Sequence, residues 1–220
     1  MLRDVGDSEV DQRNFLEVTR CIQQLPFPKL HVVGNHDQDA FSLSEIEQLW
    51  AECGQQQEVY GALTVAETTL IWLDFTQAER GRMLSQERLE WLDQTLEHVS
   101  SAVVVSHFPI VIQDIERSIY FRGEEGKRSF GYTNHQDILE VLTKHAGKII
   151  TSVSGHVHWL GYTQLPGWTH CIAPAFSEKI TALQADMHPQ VYSTLEILRD
   201  KITWKSYSKQ WCLSTIEVKR

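Results

Sequence analysis

The sequence predicts an α/β fold, and two observations carry that prediction. As far as residue 160, segments with apolar residues at helical spacing alternate with short apolar runs that are typical of buried strands. Beyond residue 160, the chain changes to short stretches rich in β-branched and aromatic residues, with turn residues between them. The change suggests one sheet that is completed by C-terminal strands. At 220 residues, we expect a single domain over residues 1–220.

The first quarter of the chain predicts two helices separated by one strand. Residues 14–25 carry apolar side chains at positions that share one helical face. Residues 29–34, KLHVVG, are a short apolar run and predict a buried strand. Residues 42–53 are predicted to be helical, because Ser42 and Glu45 stand at the spacing of a capping box.

The rest of the chain gives further strands and helices in the same way. Three apolar runs, residues 68–75, 101–110 and 147–162, are predicted strands. Residues 85–99 and 134–145 have the apolar spacing of helices, and Ser85 is suited to cap the first of them. The C-terminal strands are expected at residues 169–177, 191–198, 201–208 and 211–218.

Three of the predicted strands end in side chains of the types that bind metal ions. An Asn-His-Asp triplet stands at residues 35–37, a Ser-His pair at residues 106–107, and a Gly-His-Val-His run at residues 155–158. Because the carboxyl ends of strands in an open α/β sheet face one crevice, the three segments can converge. The alternation of a strand points both imidazoles of the last run to one side. Amide oxygens and imidazole nitrogens, completed by carboxylates and water, suit Mn, Fe or Zn.

Each of these segments also has an ordinary structural explanation. A single histidine in a core often bonds a backbone carbonyl, and an Asn-His-Asp triplet after a glycine is compatible with a polar turn. The combination of three such segments, each at the end of a predicted strand, favours a metal site over three coincidences.

Composition and charge exclude several classes of function. The formal net charge of −9 argues against nucleic-acid polymers and anionic membrane surfaces as partners. A small anionic substrate stays compatible with this charge, because a bound metal supplies positive charge locally. The four cysteines form no C-x-x-C pair, so we expect free thiols in a reducing compartment. No leader pattern or long apolar run is recognisable, and we expect a cytoplasmic protein.

Several of these segments resemble the motifs of a known family, the calcineurin-like metallophosphoesterases. The family's motifs are D-x-H, G-D-x-x-D, G-N-H-[DE], H and G-H-x-H, and the last three stand here as GNHD, SHFP and SGHVH. In the cyclic-nucleotide phosphodiesterase-like branch, a strand ending in Leu-Asp leads to a glycine and then to a Trp-Leu helix. The matching residues are Leu73-Asp74, Gly81 and Trp91-Leu92. The resemblance covers residues 7–180.

The resemblance implies a dinuclear site that holds Mn or Fe ions, or Zn. Asn35, His107 and His156 are implied as ligands of the second metal, and His158 as a ligand of the first. Two such ions, about 3.5–4 Å apart, stabilise the attacking and leaving oxygens of a phosphoester. The D-x-H motif is absent from this sequence, and Asp7 is the candidate for the bridging carboxylate of the G-D motif.

The resemblance also implies two catalytic residues. His36 is implied as the proton donor to the leaving group, and Asp37 as the residue that orients it. A ligating imidazole must be neutral, whereas a proton donor must be protonated, so the histidines of the two roles differ in charge.

These implications together define the expected protein. Its fold is a four-layer α/β/β/α sandwich that lacks its first N-terminal strand and is completed by strands from residues 160–220. Its function is metal-dependent hydrolysis of a small phosphoester, in particular a phosphodiester such as a cyclic nucleotide. The alternative is a truncated or degenerate, non-catalytic binding protein of the same fold, because the first metal site lacks the D-x-H ligands.

Overall fold

A computed structural model describes most of the chain. The described residues are 8–78, 81–111, 121, 130–175, 191–198, 201–208 and 211–219. The chain forms two compact units, Met1–Gly61 and Ala62–Arg220. Asp7, which the sequence analysis assigned to the metal site, lies outside the described residues.

The first unit contains three helices. They are α1 (Ser8–Gln23), α2 (Asn35–Gln38) and α3 (Leu43–Glu52). The predicted capping box of α3 is confirmed, because the Ser42 N–H donates to Glu45 Oε2 at 2.7 Å and the Glu45 N–H donates to Ser42 Oγ at 3.4 Å. The predicted helix of residues 14–25 is confirmed as α1, which begins earlier than predicted.

The predicted strand at residues 29–34 is wrong, because this segment has no regular secondary structure. Side-chain amides take the place of a neighbouring strand. The His31 N–H donates to Gln57 Oε1 at 2.9 Å, and Gln57 Nε2 donates to the His31 carbonyl at 2.5 Å. Gln55 Nε2 donates to the Lys29 carbonyl at 3.1 Å. The backbone groups of Lys29 and His31 are therefore bonded without a sheet, which a pattern of apolar residues does not reveal.

The second unit, with Gly61 at its boundary, contains eleven described strands and two described helices. The strands are β1 (Gly61–Val65), β2 (Thr68–Leu73), β3 (Thr76–Ala78), β4 (Gly81–Met83), β5 (Ala102–Ser106), β6 (Ile149–Ser154), β7 (Gly161–Leu165), β8 (Trp168–Ile172), β9 (Val191–Ile197), β10 (Lys201–Ser208) and β11 (Trp211–Lys219). The helices are α4 (Gln86–His98) and α5 (His135–Lys144).

A six-stranded sheet forms the centre of this unit, in the order β1-β2-β5-β6-β8-β7. Strands β2, β5, β6 and β8 are parallel, and β7 runs antiparallel to β8. Helix α4 lies between β2 and β5 in the chain, and α5 lies between β5 and β6. The two helices are neighbours, because Lys144 Nζ at the end of α5 donates to the Asp93 carboxylate of α4 at 2.7 Å. The predicted α/β class is confirmed.

The expectation that the C-terminal strands complete the same sheet is wrong for β9, β10 and β11. These strands form a separate antiparallel sheet, in the order β11-β10-β9. Its residue Ile202 packs with Val103 and Ile150 of the large sheet in one buried cluster, so the two sheets form a sandwich. Strand β7 pairs antiparallel with β8 and forms one edge of the large sheet.

Two expectations about the chain's environment can be compared with the described residues. All four cysteines are free thiols. Among the helices that the structure describes, none is both long and apolar enough to cross a bilayer.

Candidate metal centre at the carboxyl edge of the sheet

The candidate site begins where the parallel strands of the large sheet end. Leu73 of β2 is paired with Ser106 of β5, and Ser106 with Ser154 of β6. Because these last residues are in register, the residues that follow them meet at one edge. Convergence was expected for three segments, and two of them, residues 106–107 and 155–158, belong to this unit. The register confirms that these two segments follow neighbouring strand ends.

His107 and His156 lie side by side at this edge. His156 Nδ1 is 3.2 Å from His107 Nε2, and the two ring centroids are 5.1 Å apart. The backbone joins the same segments, because the Gly155 N–H donates to the His107 carbonyl at 3.0 Å. Both side chains are half-buried. Two histidines that are 49 residues apart in sequence thus have their ring nitrogens within hydrogen-bond distance.

The backbone that carries His156 and His158 differs from the expectation of an alternating strand. β6 ends at Ser154, and the two histidines have φ angles of 65° and 64°, in the left-handed region. The Val157 N–H donates to the Gly155 carbonyl at 2.7 Å and closes a tight turn. Non-glycine residues in such conformations cost free energy, and they are concentrated at functional sites. The strand-alternation argument was therefore wrong for His156 and His158.

The spacing of the His107 and His156 ring nitrogens matches that of two ligands on one metal ion. Two nitrogens that each lie about 2.0–2.1 Å from one ion are about 3 Å apart at the angles of common coordination geometries. The observed separation of 3.2 Å agrees with that value. Within the described ranges, no group of three or more His, Cys, Asp or Glu side chains is arranged to hold a metal ion. The donors that fit one metal ion are therefore two nitrogens, His107 Nε2 and His156 Nδ1.

The remaining predicted residues lie in the first unit, where Asn35 and His36 begin helix α2. Asn35 is buried, with 5% exposure. The Asp37 carboxylate accepts from the Gly34 N–H at 2.8 Å and so caps the helix. His36 is exposed, and its Nδ1 lies 3.0 Å from Asp39 Oδ2. Sequence reasoning missed Asp39, which the i, i+3 spacing on a helix would have indicated.

Phe108 connects the histidine pair to its surroundings. Its buried ring packs edge-on against His107 and His156, with centroid distances of 4.9 and 4.5 Å. The Ser106 hydroxyl donates to the Phe108 carbonyl at 2.8 Å and fixes the turn after β5. The Arg82 guanidinium carbon lies over the same ring, 5.2 Å from its centroid. Sequence reasoning did not assign Arg82 to the site.

A buried carboxylate also stands at this edge, directly after β2. Asp74 is 3% exposed, and its Oδ2 is 3.4 Å from Nε of Arg88. The Tyr132 hydroxyl donates to the Asp74 carbonyl at 2.9 Å. Burial raises the pKa of Tyr132 above its ordinary value, and the nearby Asp74 charge adds to that rise, so the hydroxyl stays protonated and donates. Asp74 belongs to the segment that resembles the family, and no role was predicted for it.

The same architecture occurs in a solved structure, described as a dimetal phosphatase from Danio rerio LOC 393393. It superposes with a TM-score of 0.71 at 15% identity, over 98% of this chain and 81% of that chain. The chain has the fold of a dimetal phosphatase. The predicted fold class is therefore confirmed.

Two further structures were found in the same comparison. GAP50, the anchor in the inner membrane complex of Plasmodium, matches at a TM-score of 0.48 and 15% identity, over 73% of this chain and 53% of that chain. PhoD matches at 0.49 and 12% identity, over 78% and 45%. The chain spans about half the length of these two proteins. No protein-family model and no curated protein matches the sequence.

Proposed function

We propose that this chain is a metal-dependent phosphoester hydrolase in which His107 and His156 hold a divalent ion. The observation that carries the proposal is the 3.2 Å separation of His156 Nδ1 and His107 Nε2 at the carboxyl edge of the parallel strands. The fold shared with a dimetal phosphatase supports it. Nitrogen ligands completed by oxygen ligands suit Mn, Fe or Zn.

The side chains around the pair would serve the metal centre in distinct ways. When bound, the ions would lower the pKa of a coordinated water and neutralise phosphoester charge. His107 and His156 would ligate as neutral imidazoles, and the buried Phe108 ring beneath them holds both rings in place. The left-handed turn fixes the backbone of His156 before any ligand arrives, which reduces the entropic cost of binding.

The roles that the family resemblance implies are kept for the other assigned residues, and Asp39 is added to Asp37 as a residue that orients His36. Asn35 and His158 complete the ligand set in our proposal, with Asp7 as the bridging carboxylate. We assign His36 as the proton donor. With Nδ1 held by Asp39, the Nε2 atom is the donor, because a ring that is fixed at one nitrogen presents the other in a set direction.

The substrate in our proposal is a small phosphodiester such as a cyclic nucleotide, hydrolysed in the cytoplasm. The match of Leu73-Asp74, Gly81 and Trp91-Leu92 to the cyclic-nucleotide branch supports this choice. The net charge of −9 disfavours nucleic-acid polymers and membrane surfaces as partners, since long anions meet repulsion beyond the reach of a local metal charge.

The test is hydrolysis by the purified chain with Mn²⁺, Fe²⁺ or Zn²⁺, alongside metal analysis. We expect turnover of bis-p-nitrophenyl phosphate and of a cyclic nucleotide, lost with chelator and restored by Mn²⁺. Faster turnover of p-nitrophenyl phosphate than of the diester would change the substrate class to monoesters. Bound metal without hydrolysis of any ester would support the alternative, a non-catalytic binding protein, and absence of bound metal would overturn both.

A further inference from the structure

Arg82 stands next to the histidine pair and belongs to no assigned function. Its guanidinium carbon is 5.2 Å from the centroid of Phe108, which is within the range of a cation–π contact. The same Phe108 ring packs against His156 at 4.5 Å and against His107 at 4.9 Å. The Arg82 cation and the two imidazoles therefore surround one aromatic ring at the carboxyl edge of the sheet.

The backbone around Arg82 is held firmly by the segment before α5. The Arg82 carbonyl accepts two hydrogen bonds from Thr133, from its N–H at 2.8 Å and from its hydroxyl at 3.1 Å. Two residues later, the Leu84 N–H donates to Asn134 Oδ1 at 3.0 Å, and Asn134 Nδ2 donates to the Leu84 carbonyl at 2.9 Å. Four hydrogen bonds thus fix the segment, and Arg82 is presented from a preorganised backbone.

The hydrogen bonding of the Arg82 side chain is incomplete. Its Nε N–H is buried and has no acceptor among the described residues. A buried donor without a partner costs about 1–3 kcal/mol, more when the group is charged, so it needs an explanation. The contact with the Phe108 ring stabilises the charge and leaves the N–H unsatisfied.

Arg88 differs from Arg82 in how its charge is paired. Its Nε lies 3.4 Å from the buried carboxylate of Asp74, and Nη1 lies 3.3 Å from Glu87. The charge of Arg88 is therefore neutralised by protein groups. Among the described carboxylates, none forms such an ion pair with Arg82. Because Arg82 as a whole is only half-buried, an anion from solution can pair with its charge.

We propose that Arg82 binds the phosphoryl group of the substrate and thereby determines that the site accepts phosphoesters. A guanidinium presents parallel N–H donors that match two oxygens of a phosphoryl group. Arg82 and His156 contact the same Phe108 ring, so this donor lies close to the histidines that hold the metal in the proposed function. The inference rests on that proposed function. Arg82 is a binding residue, and the metal ligands do not depend on it.

The test measures phosphate binding and hydrolysis in parallel. Calorimetric titration of the metal-loaded chain with inorganic phosphate gives a Kd without any turnover. Kinetics with bis-p-nitrophenyl phosphate give KM and kcat. For Arg82→Gln, we expect both Kd and KM to rise about 10- to 100-fold with unchanged metal content, because hydrogen bonds to charged groups contribute on that scale. Arg20→Gln, which removes an exposed charge from α1, is the matched control and should change neither.

A second variant guards against a folding defect. Arg82→Lys keeps a long apolar stem for the Phe108 ring and a positive charge, and should recover part of the affinity while losing the two-donor geometry. A Kd within twofold of the parent chain for both Arg82 variants would overturn the inference, as would loss of metal in either. Phosphate binding that depends on Arg82 in a chain without hydrolysis would support the inference and refute the proposed function.

Discussion

A single histidine inside the large sheet and a pair of histidines at its edge differ in what contacts their ring nitrogens. In the middle of the sheet, His170 of β8 is fully buried, and both nitrogens face serine hydroxyls of β6, with Ser152 Oγ 2.5 Å from Nδ1 and Ser154 Oγ 3.1 Å from Nε2. At the carboxyl edge, His107 and His156 are half-buried and face each other at 3.2 Å. Ser154, which contacts His170, is the last residue of β6, and His156 follows it by two residues.

The difference shows how the surroundings of a histidine indicate its task. A serine hydroxyl can donate or accept, so Ser152 and Ser154 satisfy a neutral His170 completely. The protein therefore uses His170 as a structural residue. Two facing imidazole nitrogens share at most one proton in their neutral forms, and an ion between them is the alternative that uses both lone pairs. The edge pair is accordingly the set that we assign to chemistry.

Removal of one member of the edge pair should have the largest effect. His156→Ala should lower Mn²⁺ affinity by more than about 100-fold and abolish hydrolysis, since even residues that merely support metal ligands cost 10–100-fold. Elemental analysis and a hydrolysis assay measure both quantities. His98→Ala, at an exposed position of α4, is the control. Full metal content in His156→Ala would contradict the assignment of the edge pair to metal binding.

His36 tests whether a proton donor can be separated from a ligand. His36→Ala should lower kcat by about 10²–10⁴-fold and leave metal content unchanged, because a general acid contributes on that scale without coordinating. Metal analysis of His36→Ala and His156→Ala, measured in parallel, shows whether His36 is a ligand. Equal metal loss in both variants would show that His36 is a ligand and that its assigned role is wrong.

His170 should govern stability and its dependence on pH. Burial lowers the pKa of His170 from 6.5 to about 3. Between these pH values the residue is protonated in the unfolded chain and neutral in the folded chain. Its contribution to the free energy of unfolding is complete above pH 6.5 and is lost as the pH falls toward 3, by up to about 1.4 kcal/mol per pH unit. Urea unfolding of the parent chain and of His170→Asn between pH 7 and 4 measures this slope.

The outcome for His170→Asn separates the two sets of histidines. The variant should show a shallower loss of stability with falling pH, and it should keep its metal content at pH 7. An unchanged slope would mean that His170 does not resist protonation. Loss of metal would mean that the interior of the sheet and its edge are not independent.

The smallest effect is expected at an ion cluster between α4 and α5. Hydrogen bonds from Lys144 and, to a lesser degree, from His145 lower the pKa of Asp93. Asp93 therefore stabilises the fold above its ordinary pKa of 3.8, and this contribution disappears as the pH falls through the lowered value. Asp93→Asn should be slightly less stable than the exposed control Glu140→Gln at pH 7, and the two should converge in acid. A difference in stability between the two variants that stays constant across pH would contradict the stabilising role of the Asp93 carboxylate.

Local patterns were sufficient to predict much of the fold. Ser42 with Glu45 and Ser85 with Arg88 form the expected helix caps, because capping depends on residues three positions apart. The apolar runs became parallel strands β2, β5 and β6, because strands buried on both faces are apolar throughout. His107 and His156 were expected to meet because both follow such strands.

The errors arose where distant residues decide the outcome. Residues 29–34 resemble a buried strand, yet the side chains of Gln55 and Gln57 bond the backbone of Lys29 and His31 in place of a neighbouring strand. Strands β1 and β7 were missed because neither shows apolar alternation: four of the five residues of β1 are exposed, and the buried central residue of β7 is the polar Thr163. Arg82 was missed because its significance depends on the Phe108 ring, 26 residues further along the chain.

The central claim is that His107 and His156 hold one metal ion, and a crystal structure with Zn²⁺ tests it most directly. Anomalous scattering locates zinc independently of the protein atoms. We predict an anomalous peak about 2.0–2.1 Å from both His107 Nε2 and His156 Nδ1, with the nitrogens still about 3 Å apart. A crystal soaked in Zn²⁺ whose anomalous peaks all lie elsewhere, with the two imidazoles still in contact, would contradict the account.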